Sequence, residues 1–213
     1  MRSTYIIPGY ILILMGAFFL SWGGLLIREI ENADIWQVLF WRAFFFSLTL
    51  IFFLLFRYKK QALHIIKKSG YPGIAYGSAM SLGFVAYIIA MTETTVANVL
   101  FIISSQTIWL AIFGYLFLKE KISLKTFFSI ILAMIGITVM IGGSLDTGSL
   151  KGNLIALYIP INFAFLILLI RKFPKIDFVP SLLIAGFLSV VYGFVMSETI
   201  VISQHDLLIV FLL

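Results

Sequence analysis

The feature that most constrains this chain is a series of uninterrupted apolar runs, each about 20 residues long, the length an α-helix needs to cross the hydrocarbon of a bilayer. The runs lie near Pro8–Ile27, Ile35–Phe56, Tyr71–Met91, Val96–Leu118, Thr126–Ile141, Leu154–Ile170 and Val179–Met196, and an eighth begins at Leu207. Composition agrees: 62% of the 213 residues are hydrophobic and 11% charged, against roughly 45–50% and 25% in soluble domains. A mean hydropathy of +1.12 makes lipid the solvent for most of the chain. Backbone groups in lipid must bond internally, which leaves helices or closed barrels, and no alternating strand pattern is present. The expected fold class is an all-α polytopic membrane protein. The first run follows Arg2 as a secretory signal would, but it is too long for a signal core and lacks a small-x-small cleavage site. It is read as a retained helix, since Ser21-Trp22-Gly23-Gly24 leads directly into an acidic loop.

The net charge of +6 is meaningful only loop by loop. With the N-terminus in the cytoplasm, 12 of the 15 basic residues fall inside, in the segments around Arg2, Arg57–Lys68, Lys119–Lys125 and Arg171–Lys175. Arg28 and Lys151 fall outside, and Arg42 lies within the second span. That bias sets the N-in orientation. It also reads as attraction to anionic lipid of the cytoplasmic leaflet, with no nucleic-acid partner expected. The absence of cysteine excludes disulfides, thiol catalysis and thiolate metal sites. His64 and His205 are expected in loops, no His/carboxylate cluster has metal-ligand spacing, and no span contains lysine. Gly142-Gly143 matches no phosphate-binding loop. No catalytic residue, cofactor or metal is expected, and the chain is not read as an enzyme.

Shifting the sequence against itself by 143 residues superposes Gly9 on Gly152, Leu14 on Leu157, Leu25-Leu26-Ile27-Arg28 on Leu168-Leu169-Ile170-Arg171, and Asp34 on Asp177, without a gap. Five spans separate the copies, so the second would be upside down. Inverted repeats of this kind build many secondary transporters around a midplane site. The expected organisation is a first five-helix repeat over 1–145 and the start of a second, incomplete one over 152–213. The expectation is about seven full spans and part of an eighth out of ten, in a chain that looks truncated.

Several side chains stand out against the apolar background. Arg42 is the only ionisable residue well inside a span, at a cost of about 3 kcal/mol on insertion scales. It is either an anion-attracting group in a translocation path or a structural residue, snorkelling to Glu31 or Asp34 or bonding helix carbonyls. Asn98, Ser105 and Trp109 recur at helical spacing on the fourth span beside Ser104 and Gln106, serving either a wet cavity or interhelical hydrogen bonds. Trp22 and Tyr87 are candidate cavity walls, or packing residues. The rows Gly73, Gly77, Ser81 and Ala185, Ser189, Gly193, Ser197 read as close helix packing. Glu120 and Ser123 read as turn and cap groups, and Glu93 as an acid at the outer mouth.

The stretch Thr94–Ser123, TTVANVLFIISSQTIWLAIFGYLFLKEKIS, resembles the signature of EamA-type proteins of the drug/metabolite transporter superfamily. Ser21-Trp22-Gly23, Arg42, Gly136 and Gly152 sit where that family's pattern has equivalents, and the resemblance runs from Gly9 to about Ser197. It implies a ten-helix carrier of two inverted repeats in a bacterial inner membrane, moving small metabolites by alternating access, often outward. Its partners would be a small-molecule substrate and membrane lipid, with a homo-oligomer left open. The expected substrate contacts are Asn98, Ser105, Gln106 and Trp109, with Trp22, Tyr87 and Arg42 around them. A membrane-embedded enzyme and a non-transporting scaffold are the alternatives. Thr107 stands where the family often has a helix-kinking Pro, and Glu93 where it often has Tyr; Pro160 and Asn162 occupy a span lacking the family's frequent Trp.

Overall fold

The computed structural model describes residues 9–59, 62–121, 123–143 and 149–213. Arg2, Lys60 and Asp146 of the charge pattern, and the expected repeat boundary at 145, lie outside them. The described residues form helices α1 (Gly9–Arg28), α2 (Ile35–Tyr58), α3 (Ala62–Glu93), α4 (Val96–Ser104), α5 (Gln106–Leu118), α6 (Leu124–Gly143), α7 (Leu150–Lys172), α8 (Leu182–Met196) and α9 (Gln204–Leu212). A 3-10 turn, Val179–Ser181, leads into α8. The protein is an all-α polytopic membrane protein. Among the described residues six segments are long and apolar enough to cross a bilayer: α1, α2, Lys67–Glu93, Val96–Leu118, α7 and Val179–Met196. The run expected at Thr126–Ile141 falls on α6, whose Leu124–Gly136 part is a shorter apolar helix.

Two helix interruptions have local causes. Helix α3 breaks at Gly70, whose φ of 53° lies in the left-handed region that glycine enters without a Cβ penalty. Pro72 follows in the first turn of the new segment, where its missing N–H costs nothing. The fourth span divides into α4 and α5 at Ser105, where φ is −69° and ψ −4°. Thr107 in place of Pro leads to the expectation of an unkinked helix, yet Ser105 interrupts it. Its Oγ donates to the Ile102 carbonyl at 2.6 Å and its own N–H bonds the same carbonyl at 3.1 Å. A serine hydroxyl competing for a backbone acceptor tightens and bends a helix in this way.

The helices pack through their small residues. Helix α2 lies along α8, and α3 along α7 and α8, while α9 touches α1 and α2. A Cβ added to Gly193 would lie 2.7 Å from the Phe40 backbone, and one added to Gly77 the same distance from the Ser181 carbonyl oxygen. Ser81 and Ser189 share a buried hydrogen bond of 2.9 Å between α3 and α8. Beside them, Ile27, Met91, Val99, Ile102 and Ala156 form an apolar cluster joining α1, α3, α4 and α7. The outer surface carries large apolar groups such as Phe56, 89% exposed, which lipid solvates at no cost.

The loops on one side are drawn into a single cap. Asp34 and Gln37 form a reciprocal capping box at the start of α2. The Gln37 amide also donates to the carbonyls of Thr199 and Val201 in the α8–α9 connection. Asp206, one residue before the apolar run that begins at Leu207, sits in the first turn of α9 and is 0% exposed. Its carboxylate accepts the backbone N–H groups of Glu31, Asn32 and Ala33, each at 3.0 Å. Burial by itself pushes this carboxyl up, but the amides of Glu31 and Asn32, with His205 and Ser203, bring it down to about 2. The clamp fixes the start of α9 to the α1–α2 loop.

Candidate functional site

Helix α1 presents Phe18, Phe19, Trp22 and Leu26 on one face toward Arg42 of α2 and Tyr87 of α3. With Gly23 and the end of α9 they line a half-open cavity of about 420 Å³. Gly23 belongs to that wall because a Cβ there would meet the Tyr87 hydroxyl at 3.1 Å. On the other side of Arg42 lies a second cavity of about 450 Å³, walled by Phe45, Phe46, Phe84, Phe211 and Thr49 among others. Both volumes fall in the range of small-molecule sites, about 300–1,000 Å³.

Arg42 lines both cavities. Its guanidinium carbon lies 5.2 Å from the Tyr87 ring centre and 5.8 Å from that of Phe84, within cation–π distance of each. Nη1 is buried with no hydrogen-bond partner. The snorkelling expectation is not met. Asp34 accepts from the backbone of Trp36 and Gln37 instead, and the ion pairs of the described residues join Lys151 to Glu93, Arg171 to Glu120 and His205 to Asp206. Two rings return about 0.5–2 kcal/mol each, which does not reliably offset the roughly 3 kcal/mol cost of a cation at this depth. A guanidinium stays charged, so its vacant donor calls for an acceptor.

The polar groups of the fourth span are arranged differently. Asn98 lies in the first turn of α4, where its amide is 3.4 Å from both Thr94 Oγ1 and Asn153 Oδ1. Thr94 Oγ1 donates to Asn153 at 2.8 Å, and Arg28 donates to the Thr94 carbonyl at 2.7 Å. This cluster ties the α3–α4 turn to α1 and α7. Neither Thr94 nor Asn153 stands out in the sequence, because the Asn98–Asn153 pairing spans 55 residues. Ser105 is buried and bonded to its own helix, and it lines a groove of about 570 Å³ between α4, α5 and α6 with Ser104 and Thr107. Gln106 and Trp109 line none of these three cavities. Of the expected contacts, Trp22, Arg42 and Tyr87 therefore share one cavity, while Asn98 and Ser105 stand apart.

The profile of the EamA-like transporter family matches residues 7–142, from the start of the first span to the end of α6. The chain belongs to the EamA-like transporter family. No curated protein and no solved structure matches it. The segment matched to the EamA-like family contains Trp22, Arg42, Tyr87, Asn98, Ser105, Gln106 and Trp109. The second cavity of this EamA-like protein also draws Leu182, Val210 and Phe211 from beyond that segment.

Glu93 and Glu120 have structural partners. Glu93 pairs with Lys151 at 2.9 Å. Glu120 does not simply face the start of α6; it accepts Arg171 Nη1 through both oxygens, at 3.0 and 3.1 Å, while Ser123 accepts the Thr126 amide as a cap. Arg28 and Arg171, superposed by the 143-residue shift, thus each fasten the end of a helix to a turn.

Proposed function

We propose that this member of a transporter family is a secondary carrier of small metabolites, working by alternating access around the cavity bounded by Trp22, Arg42 and Tyr87. The observation that carries the reading is that cavity itself, set among spanning helices and reached by a cation without a partner. A small-molecule substrate and surrounding lipid are its partners, and the chemistry is binding and release, with no catalytic step. The groove at Ser105 and the Asn98 cluster are secondary positions along the same path.

Packing supports a rocking mechanism. Exchanging α1 with α7, α2 with α8 and α3 with α9 carries the α3–α7 contact onto α9–α1, α3–α8 onto α9–α2, and α2–α8 onto itself. Asp34 and Asp177, superposed by the shift, both accept the backbone N–H two residues on, from Trp36 and Val179. These matches are of the kind that two inverted repeats about a pseudo-two-fold axis produce, although α2–α3 has no counterpart of similar extent between α8 and α9. In our reading the repeats begin at 1 and 152, the N-terminus is cytoplasmic, the membrane is a bacterial inner membrane and transport is outward.

The absence of cysteine makes the test direct. A single Trp22→Cys variant in sealed vesicles should react with a membrane-impermeant thiol reagent from each side in turn, while lipid-facing Phe56→Cys should stay unreactive. Lys67→Cys and Lys151→Cys should label from the cytoplasmic and external sides respectively. Silence of Trp22→Cys from both sides would mean a closed interior and would overturn the carrier reading.

A further inference from the structure

Arg42 constrains what can occupy the cavity. Every described Asp and Glu lies at or beyond a helix end, except Asp206 in the first turn of α9, whose oxygens are held by three amides and His205. No described Asp or Glu side chain is therefore available inside the spans to neutralise Arg42, and Nη1 has no hydrogen-bond partner. The side chains around the guanidinium are aromatic and aliphatic, with the hydroxyl-bearing Tyr87 and Thr49 as the polar additions, and Leu213 lines both cavities. A cation in such a setting is matched by an anion that brings a single charge and an apolar body.

We infer that the cavity selects small organic monoanions, a carboxylate set on Arg42 with its hydrocarbon body against Trp22 and the phenylalanines, in preference to neutral, zwitterionic or cationic molecules of the same size. This deepens the carrier reading and rests on it for the claim that the bound molecule is cargo. An Arg fork binds a carboxylate through parallel hydrogen bonds, and Arg42 lines both cavities with no ion-pair partner among the described side chains. A neutral amide offers one weaker acceptor. A zwitterion adds an ammonium group that repels Arg42 and finds no described carboxylate, so that second charge is desolvated without a partner. Aromatic walls supply binding through area to every molecule of one shape, leaving the charged group to decide among them.

Four probes of one skeleton test this on the purified full chain: 3-phenylpropanoate, 3-phenylpropanamide, phenylalanine and 3-phenylpropylamine, titrated by calorimetry. The expected result is 3-phenylpropanoate at least tenfold tighter than the amide and than phenylalanine, with the amine weakest. Arg42→Gln should bring the carboxylate down to the affinity of the amide and leave the amide unchanged. Arg42→Lys, which keeps the charge and loses the fork, should retain part of the preference. Equal binding of carboxylate and amide by the wild type, tighter binding of phenylalanine, or no binding by any probe overturns the inference, and none of these depends on a variant folding. The thiol test separates the two claims: alternating Trp22→Cys reactivity without an anion preference overturns this inference alone, and an anion preference with a closed Trp22→Cys overturns the carrier reading alone.

Discussion

Asp206 and Arg42 are both charged groups withdrawn from water, and the protein treats them in opposite ways. The carboxylate of Asp206 receives three backbone amides at 3.0 Å and touches His205. Arg42 meets two aromatic faces and keeps a buried donor without a partner. A buried ion that is fully hydrogen-bonded locks the elements around it, whereas one left short of partners favours any molecule that supplies them. The first arrangement holds the α1–α2 loop to the start of α9; the second leaves Arg42 lining two cavities.

The largest effect that tests this contrast is on stability. Asp206→Ala would leave the amides of Glu31, Asn32 and Ala33 without their acceptor and should lower unfolding stability by about 3 kcal/mol. Arg42→Gln, which gives up no hydrogen bond, should shift it by no more than about 1 kcal/mol in either direction. Unfolding of both variants in one detergent measures the difference, and equal losses would erase the distinction.

A smaller effect is expected along the pH axis. The Asp206 carboxyl titrates near 2 in the folded protein against an ordinary 3.8, so the charged form is favoured by folding. Its contribution is complete above about pH 4 and disappears as pH falls through about 2. Between those values the wild type should lose stability more steeply than Asp206→Asn, and parallel acid-unfolding curves would show that the clamp does not depend on charge.

The smallest effect belongs to the surface. Lys151 and Glu93 form an ion pair with side chains 69% and 31% exposed. Solvent and salt screen such a pair, so Glu93→Gln should cost under about 1 kcal/mol and less still in high salt. A loss matching that of Asp206→Ala would make exposed and buried charges equivalent here.

The sequence by itself determined the helical class, the approximate spans and the presence of one cation deep in an apolar segment. Lipid leaves each crossing to close its own backbone hydrogen bonds, so length and hydropathy settle those features locally. The small-residue rows also announced close packing, met at Gly77, Ser81, Ser189 and Gly193. Tertiary structure alone decided which polar side chains are engaged. Asn98 looked available on a helical stripe, but Thr94 and Asn153 lie beside it; Asp206 stands one residue before an apolar run, and folding brought three amides to it from residues more than 170 positions away. Arg42 looked able to reach Asp34, whose carboxylate caps α2 instead. Hydrogen-bond partners are chosen by distance in space, which a string of residue types does not carry until the helices have packed.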